Sequence, residues 1–345
     1  MIVRFQVDER LPLPARNTLN VVQTALKVNR SVASKLIHDG MVACRGRMIS
    51  QTHHVLRVGD ELEIDYVPQP VKQPAKKKTS NPRGKFDVVH DDEAIIVVNK
   101  PAGLLTVPSP QREKNTLRGQ LQKWLRHQKT DSKAICVHRL DRGVSGLLVF
   151  AKSAEVAEHL IAQFSQRTPQ RQYVAIVQGI LRDDKGTFRS HLATDEQSLN
   201  RFSVDESDPR GELAITHYRV KERWKGATIV EVQLETGRRN QIRVHFAESG
   251  HPIIGDPRYR PTEADHALWP HRRIALHAET LGFRHPTEES PLLFKAPWPQ
   301  EFRDLRRSIG PDSGRGPESA RHSRQKSDNP PGRKARASSP KRKRQ

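Results

Sequence analysis

Apolar positions along the chain change period several times, and each change marks an expected element. Early on, Leu19, Val22, Ala25 and Leu26 recur at helical spacing. Val32, Leu36 and Ile37 predict a second short helix, with Ser31 as its cap and Gly40 as its stop. Strand-like pieces follow at 41–43 and 61–64, the second introduced by a Gly59-Asp60 turn. From 68 to 85 the pattern is lost. Pro68, Pro70, Pro74 and Pro82 interrupt it, and Lys72, Lys76, Lys77, Lys78, Arg83 and Lys85 stand without an acid, so an extended linker is expected. Strands are then predicted at 86–89 and 94–98, the second ended by Asn99-Lys100-Pro101-Ala102-Gly103. Leu117, Leu121, Trp124 and Leu125 have helical spacing, as do Val156, Ala157, Leu160, Ile161 and Phe164. Further strands are expected at 173–177, 215–220, 228–234 and 274–283, and a helix that stops at Gly250. Ala296-Pro297-Trp298-Pro299 closes the pattern.

Many strands with few, separated helices predict an α+β fold with a mixed, largely antiparallel sheet. The expected organisation is a small N-terminal α/β module at 1–67, a linker at 68–85, a large domain at 86–307 and a disordered basic tail at 308–345.

Charge narrows the partners. The chain has 345 residues and a formal net charge of +21, which points to nucleic acid as the leading polyanion. From Arg306 to Gln345 there are 13 Lys/Arg against 3 Asp/Glu, nearly half of the whole surplus. Such a tail either contacts RNA or only keeps the chain in solution. Cys44 and Cys136 lie far apart and form neither a disulfide framework nor a metal pair. No apolar run reaches the ~18 residues of a membrane span, and Met1-Ile2-Val3-Arg4-Phe5 does not open like a signal peptide. A monomer in the cytoplasm, away from membranes, is the expectation.

Two dense polar clusters stand out. In Val137-His138-Arg139-Leu140-Asp141-Arg142-Gly143-Val144-Ser145-Gly146, one carboxylate sits between two arginines at a glycine turn before an apolar run. A lone aspartate in a turn is more often a solvent-facing acid than a catalyst, so its surroundings must decide. The second cluster is Glu235-Thr236-Gly237-Arg238-Arg239-Asn240-Gln241-Ile242-Arg243-Val244-His245. Several chemistries are absent from the sequence: it has no phosphate loop, no dinucleotide fingerprint and no His-Glu-x-x-His. The 16 histidines do not recur at ligand spacing, so no metal is expected. Gly143-Val144-Ser145-Gly146 does not match a hydrolase elbow, and Ser145 is read as a turn residue that bonds locally.

The large domain resembles the RluA-type RNA pseudouridine synthases. The matching pieces are Asn99-Lys100-Pro101-Ala102-Gly103-Leu104, His138-Arg139-Leu140-Asp141-Arg142-x-x-Ser145-Gly146-Leu147-Leu148, and Tyr173-x-Ala175-x-Val177-x-Gly179. They continue with Thr236-Gly237-Arg238-x-x-Gln241-Ile242-Arg243-x-His245, Gly255-Asp256-x-x-Tyr259, Leu276-His277-Ala278 and Ala296-Pro297-x-Pro299, in family order. Residues 10–66 resemble the alpha-L RNA-binding module of small-subunit ribosomal protein S-four, through Asn29-Arg30-Ser31, Leu36-Ile37-x-x-Gly40-x-Val42 and Val58-Gly59-Asp60-x-Leu62-x-Ile64. There Arg16-Asn17-Thr18 stands where that family has Arg-Leu-Asp.

The first resemblance implies isomerisation of uridine to pseudouridine in RNA without a cofactor. Ribosomal RNA is the foremost substrate and transfer RNA the second. Asp141 matches the essential aspartate, acting either as nucleophile on the sugar or as base for the ribose 2′ proton. Arg243 matches its partner, and a cation within about 4–6 Å favours the carboxylate form. Tyr173 matches an active-site tyrosine able to stack on uracil and serve proton transfer. Ile242 offers an apolar wall, and Arg139, Arg142, Arg238 and Arg239 offer phosphate contacts for a flipped nucleotide, Arg139 also as a filler of the gap. Arg30 and Lys35 would grip RNA from the N-terminal module. Gly143-Val144 and Asn240 depart from the pattern, the last replacing a common histidine. The alternative is a non-catalytic RNA-binding or ribosome-assembly protein on the same fold, against which Asp141, Tyr173 and Arg243 together argue.

Overall fold

The computed structural model describes residues 2–26, 28, 30–66, 86–109, 113, 115–128, 131–269 and 273–310. The expected linker lies outside them, as does the expected tail beyond Gly310.

The first folded part contains β1 (Ile2–Gln6), α1 (Thr18–Leu26), α2 (Arg30–His38), β2 (Val42–Cys44), β3 (Arg47–Met48) and β4 (Glu61–Asp65). Its antiparallel sheet has the order β1-β4-β2-β3. Val22, Leu26, Ile37, Val42, Leu62 and Ile64 close one core between helices and sheet. Asn17 explains the local departure at Arg16-Asn17-Thr18. Its Oδ1 accepts from Asn20 N at 2.9 Å, capping the otherwise unpaired start of α1. Helix α2 begins at Arg30, so Ser31 lies in its first turn rather than before it. Gly40, at φ +69°, ends it in the left-handed conformation that glycine adopts without strain. Strand β1 gave no signal in the pattern, because Val3 alone in it is buried.

The second part runs β5 (Asp87–Asp91), β6 (Ile95–Lys100), α3 (Leu117–His127), β7 (Ile135–Cys136), β8 (Ser145–Ala151), α4 (Ala154–Ser165), β9 (Gln170–Gln178), β10 (Lys185–Thr194), β11 (Arg201–Val204), β12 (Glu212–Trp224), β13 (Ala227–Leu234), α5 (Gln241–Glu248), α6 (Pro261–Ala264), β14 (Leu276–Arg284), β15 (Pro291–Lys295) and α7 (Gln300–Ile309). The sheet order is β11-β10-β12-β13-β9-β14-β8-β6-β5, with β15 beside β14 and β7 beside β8. The β8/β14 pair is parallel and the other pairings are antiparallel.

Strands β6 and β8 read as unbroken apolar runs because both of their faces are covered. Ile96, Val98, Leu148 and Phe150 pack with Leu121 and Trp124 of α3 and Phe302 of α7. Ile95, Val97, Leu147 and Val149 pack on the other face with Val156, Ala157 and Leu160 of α4. Each such side chain contributes on the order of 2 kcal/mol by leaving water, which keeps these strands central. Thr116 and Ser153 cap α3 and α4 through Gly119 N and Val156 N. Helix α7 extends the domain to Ile309, past the expected boundary, and buries Phe302 and Leu305.

Entry into β8 fixes the site. Ser145 and Gly146 pair with His277 and Ala278 of β14. Gly146 has φ +119°, and a Cβ there would stand 2.3 Å from the Ala278 carbonyl oxygen. Only glycine fits so close an approach. The chain therefore turns sharply just before β8, and Asp141 is in that turn, its carbonyl accepting from Val144 N at 3.1 Å.

Candidate active site

The Asp141 turn is held from beneath by a buried amine. Lys100, at the end of β6, is fully buried, and its Nζ donates to the carbonyls of Pro101 (3.0 Å), Leu104 (2.7 Å) and Arg142 (3.4 Å). Burial pushes its pKa down to about 7; the Asp141 charge pulls it up and Arg273 pushes it further down. Thr106 adds a second tie, its Oγ1 donating to Leu140 O at 2.8 Å and accepting from Leu140 N at 3.2 Å.

The Gly143-Val144 departure has a steric cause. A Cβ on Gly143 would meet Ile274 Cγ1 at 2.9 Å, and Val144 is buried in the core. Ser145 differs from its reading as a locally bonded turn residue. It opens β8, is buried, accepts from Arg273 Nη2 at 2.7 Å and shares a 2.8 Å hydrogen bond with His277 Nδ1.

Arg243, in the first turn of α5, is brought onto Asp141 across 102 residues of sequence. Its Nη1 donates to Asp141 Oδ2 at 2.9 Å. Its Nε and Nη2 donate to Asp256 Oδ2 and Oδ1 at 2.7 and 2.8 Å, a two-point grip on a carboxylate side chain only 1% exposed. Burial by itself would lower the Arg243 pKa. The hydrogen bonds and charge of Asp256, then those of Asp141, outweigh it and raise the pKa above the ordinary arginine value. Asp256 Oδ1 also accepts from the backbone N–H groups of Arg258 (2.9 Å) and Tyr259 (3.2 Å). The Tyr259 ring lies under the guanidinium at 5.0 Å. Asn240 closes this arrangement from a left-handed backbone position, φ +58°. Its Oδ1 accepts from Arg243 Nη1 at 3.2 Å and its Nδ2 donates to the Tyr259 hydroxyl at 3.0 Å.

Asp141 is thus tethered by one oxygen only. Oδ1 accepts no hydrogen bond among the described residues, and the side chain is 24% exposed. An oriented carboxylate with one free oxygen can attack carbon or take a proton. Tyr173, on β9, is buried except for 9% of its surface, and its hydroxyl makes no hydrogen bond among the described residues. Burial raises its pKa, Arg171 pulls it down and Asp141 raises it again.

The remaining expected residues divide. Arg139 is exposed and makes no ion pair among the described residues. Arg142 is exposed, donates to Gly103 O at 3.2 Å and stands 3.9 Å from Glu113. Arg239 is exposed and donates to Leu199 O at 2.5 Å. Arg238 is tied inward, to Glu212 at 2.8 Å and Leu213 O at 3.1 Å, which makes it part of the framework. Ile242 is buried in the same core cluster as Tyr173. In the first folded part, Arg30 and Lys35 are exposed on α2. Sequence reasoning assigned no role to Lys100, Asp256, Tyr259 or Arg171. The Gly255-Asp256-x-x-Tyr259 motif carried a signal for two of them.

Comparison with known proteins gives this geometry its class. A profile described as "RNA pseudouridylate synthase" matches residues 94–248. An RNA pseudouridine synthase of Bacillus subtilis named YlyB is 34% identical over 284 residues, 80% of this chain and 88% of that one. The chain belongs to the RNA pseudouridine synthases, enzymes that isomerise uridine within RNA. A second relative, "Ribosomal large subunit pseudouridine synthase D" of Xanthomonas campestris, is 33% identical over 302 residues, 85% of this chain and 88% of the relative. The fold also matches "Human RNA Pseudouridylate Synthase Domain Containing 4", with a TM-score of 0.52, 21% identity, and coverage of 64% of this chain and 91% of that one.

Proposed function

We propose that the chain isomerises uridine in large-subunit ribosomal RNA, with Asp141 as the reacting carboxylate. The observation that carries this reading is the singly tethered acid: Arg243 holds Oδ2 at 2.9 Å, and Oδ1 accepts no hydrogen bond among the described residues. The substrate class follows relatives named for the large ribosomal subunit.

The uridine leaves its stack, at a cost of a few kcal/mol. Arg139 and Arg142 flank Asp141 on the surface and offset that cost through phosphate contacts, Arg139 also filling the gap. Arg239 extends the same basic rim. Asp141 then acts through Oδ1, as nucleophile on the anomeric carbon or as base for the ribose 2′ proton. The bond from nitrogen 1 to the sugar breaks, uracil turns, and carbon 5 joins the same carbon. The proton on carbon 5 goes to solvent and nitrogen 1 gains one, so the product is an isomer and no cofactor is needed. Tyr173, kept a phenol by burial, stacks on the base and confines its rotation, with Ile242 behind it. Residues 10–66 act as an alpha-L RNA-binding module through Arg30 and Lys35. The enzyme works as a monomer in the cytoplasm.

Pseudouridine mapping in cells lacking the protein tests the reading. Specific large-subunit sites should vanish and return with wild type but not with Asp141→Asn. Loss confined to transfer RNA overturns the substrate; no loss in any RNA overturns the function.

A further inference from the structure

Among the described residues, the half-buried guanidinium of Arg171 beside the site lacks a counter-ion. Arg201, Arg243 and Arg273 are each buried against a carboxylate, namely Glu212, Asp141 with Asp256, and Glu301, and the half-buried Arg238 also pairs with Glu212. Arg171 is half-buried too, yet among the described residues its guanidinium makes no hydrogen bond or ion pair, and its Nε is buried without a partner. The Phe164 ring centroid lies 5.8 Å from its Cζ.

Position makes this more than a stray charge. Arg171 and Tyr173 are alternate residues of β9, so they project from one face of the strand. Phe164, beneath the guanidinium, stacks at 4.4 Å on His138, the neighbour of Arg139. Burial pushes the His138 pKa down to about 3, with help from Arg171, so the imidazole is neutral and cannot compete for an anion. On the other side lies Gly237, where a Cβ would stand 2.6 Å from Arg171 Nη1. A bare backbone at 237 is what lets the guanidinium rest there. A cation withdrawn from water without a partner is costly, and the cost is recovered where a ligand supplies the opposite charge.

We infer that Arg171, lying against Gly237, forms a phosphate-binding subsite for the phosphodiester beside the target uridine. This rests on the reading that Asp141 and Tyr173 enclose that uridine. A guanidinium is suited to two-point contact with phosphate oxygens. The subsite places the sugar of the flipped nucleotide between Arg171 and Asp141.

The test is binding of the full-length protein to an in vitro transcript of large-subunit ribosomal RNA, with Kd measured from about 50 to 200 mM salt. Arg171→Gln should bind about tenfold more weakly, the scale of one charge-assisted contact. Its slope of log K against log salt should shrink by about 0.7–0.9, one phosphate's worth. Arg171→Lys should recover most of that slope. Gly237→Ala, which displaces the guanidinium but keeps its charge, should weaken binding in the same direction. Unchanged affinity and slope in Arg171→Gln overturn the subsite. So does a lower melting temperature with an unchanged slope, which assigns Arg171 to packing on Phe164. Tritium release by wild type on the same transcript, labelled at uridine carbon 5, reads the proposed reaction separately, since the slopes report the subsite whether or not turnover occurs.

Discussion

The two carboxylates on Arg243 should part company on mutation. Asp256→Asn removes the buried counter-charge of a buried cation. Two charge-assisted hydrogen bonds, at 2.7 and 2.8 Å, are lost or weakened, each worth about 1.5–3 kcal/mol. Breaking a buried pair from one side costs about 3–5 kcal/mol. For a domain of this size, about 2–4 °C of melting temperature follows each kcal/mol. The expected fall is therefore roughly 6–20 °C. Asp141→Asn is different. Its side chain is 24% exposed and Arg243 keeps both bonds to Asp256, so the change in stability should stay within about 1 kcal/mol. Isomerisation should nevertheless stop. Thermal unfolding of the two variants beside a single-turnover assay reads both quantities. A melting temperature for Asp256→Asn close to wild type, or an equal loss in both variants, would refute this division of labour.

Three further outcomes follow from the same geometry. Lys100 has a folded pKa of about 7 against an ordinary 10.5. The unfolded chain thus binds the extra proton between those values, and stability rises with pH across that window. Urea unfolding should show wild type gaining on Lys100→Met from pH 7 towards 10, whereas parallel pH profiles would contradict a buried, neutralising amine. Asn240→Gly preserves the left-handed backbone but removes the bonds to Arg243 and Tyr259. It should slow single-turnover isomerisation about tenfold, one hydrogen bond's worth, with RNA affinity intact; an unchanged rate argues against a positioning role. Gly146→Ala drives a Cβ against the Ala278 carbonyl and should lose several kcal/mol, seen as insoluble protein or an early melt; a normal melt excludes the close approach.

The parts legible in the sequence were those where a single physical cause leaves a periodic trace. Two-sided burial made β6 and β8 unbroken apolar runs, and one-sided burial gave α3 and α4 their spacing. Strand β10 left no such trace, since most of its side chains are exposed or half-buried. Helix α7 holds its place with Phe302 and Leu305, too few for a period. At the candidate site, motif resemblance singled out Asp141, Tyr173 and Arg243, and the Asp141–Arg243 contact expected from it is present. The second carboxylate on Arg243 was not, because nothing in Gly255-Asp256-Pro257 announces that its acid is buried 13 residues from its partner. Lys100 stood in the sequence as the end of a predicted strand, and its full burial among carbonyls left no trace there. Arg171 was given no reading in the sequence, and what sets it apart is that no carboxylate pairs with it among the described residues.

The most direct test of the account is tritium release from RNA labelled at uridine carbon 5, comparing wild type with Asp141→Asn at matched RNA occupancy. Wild type should release tritium and form pseudouridine in equal amounts, while the folded variant binds the same RNA and releases none. Equal release by the two proteins would contradict the claim that the free oxygen of Asp141 carries the reaction.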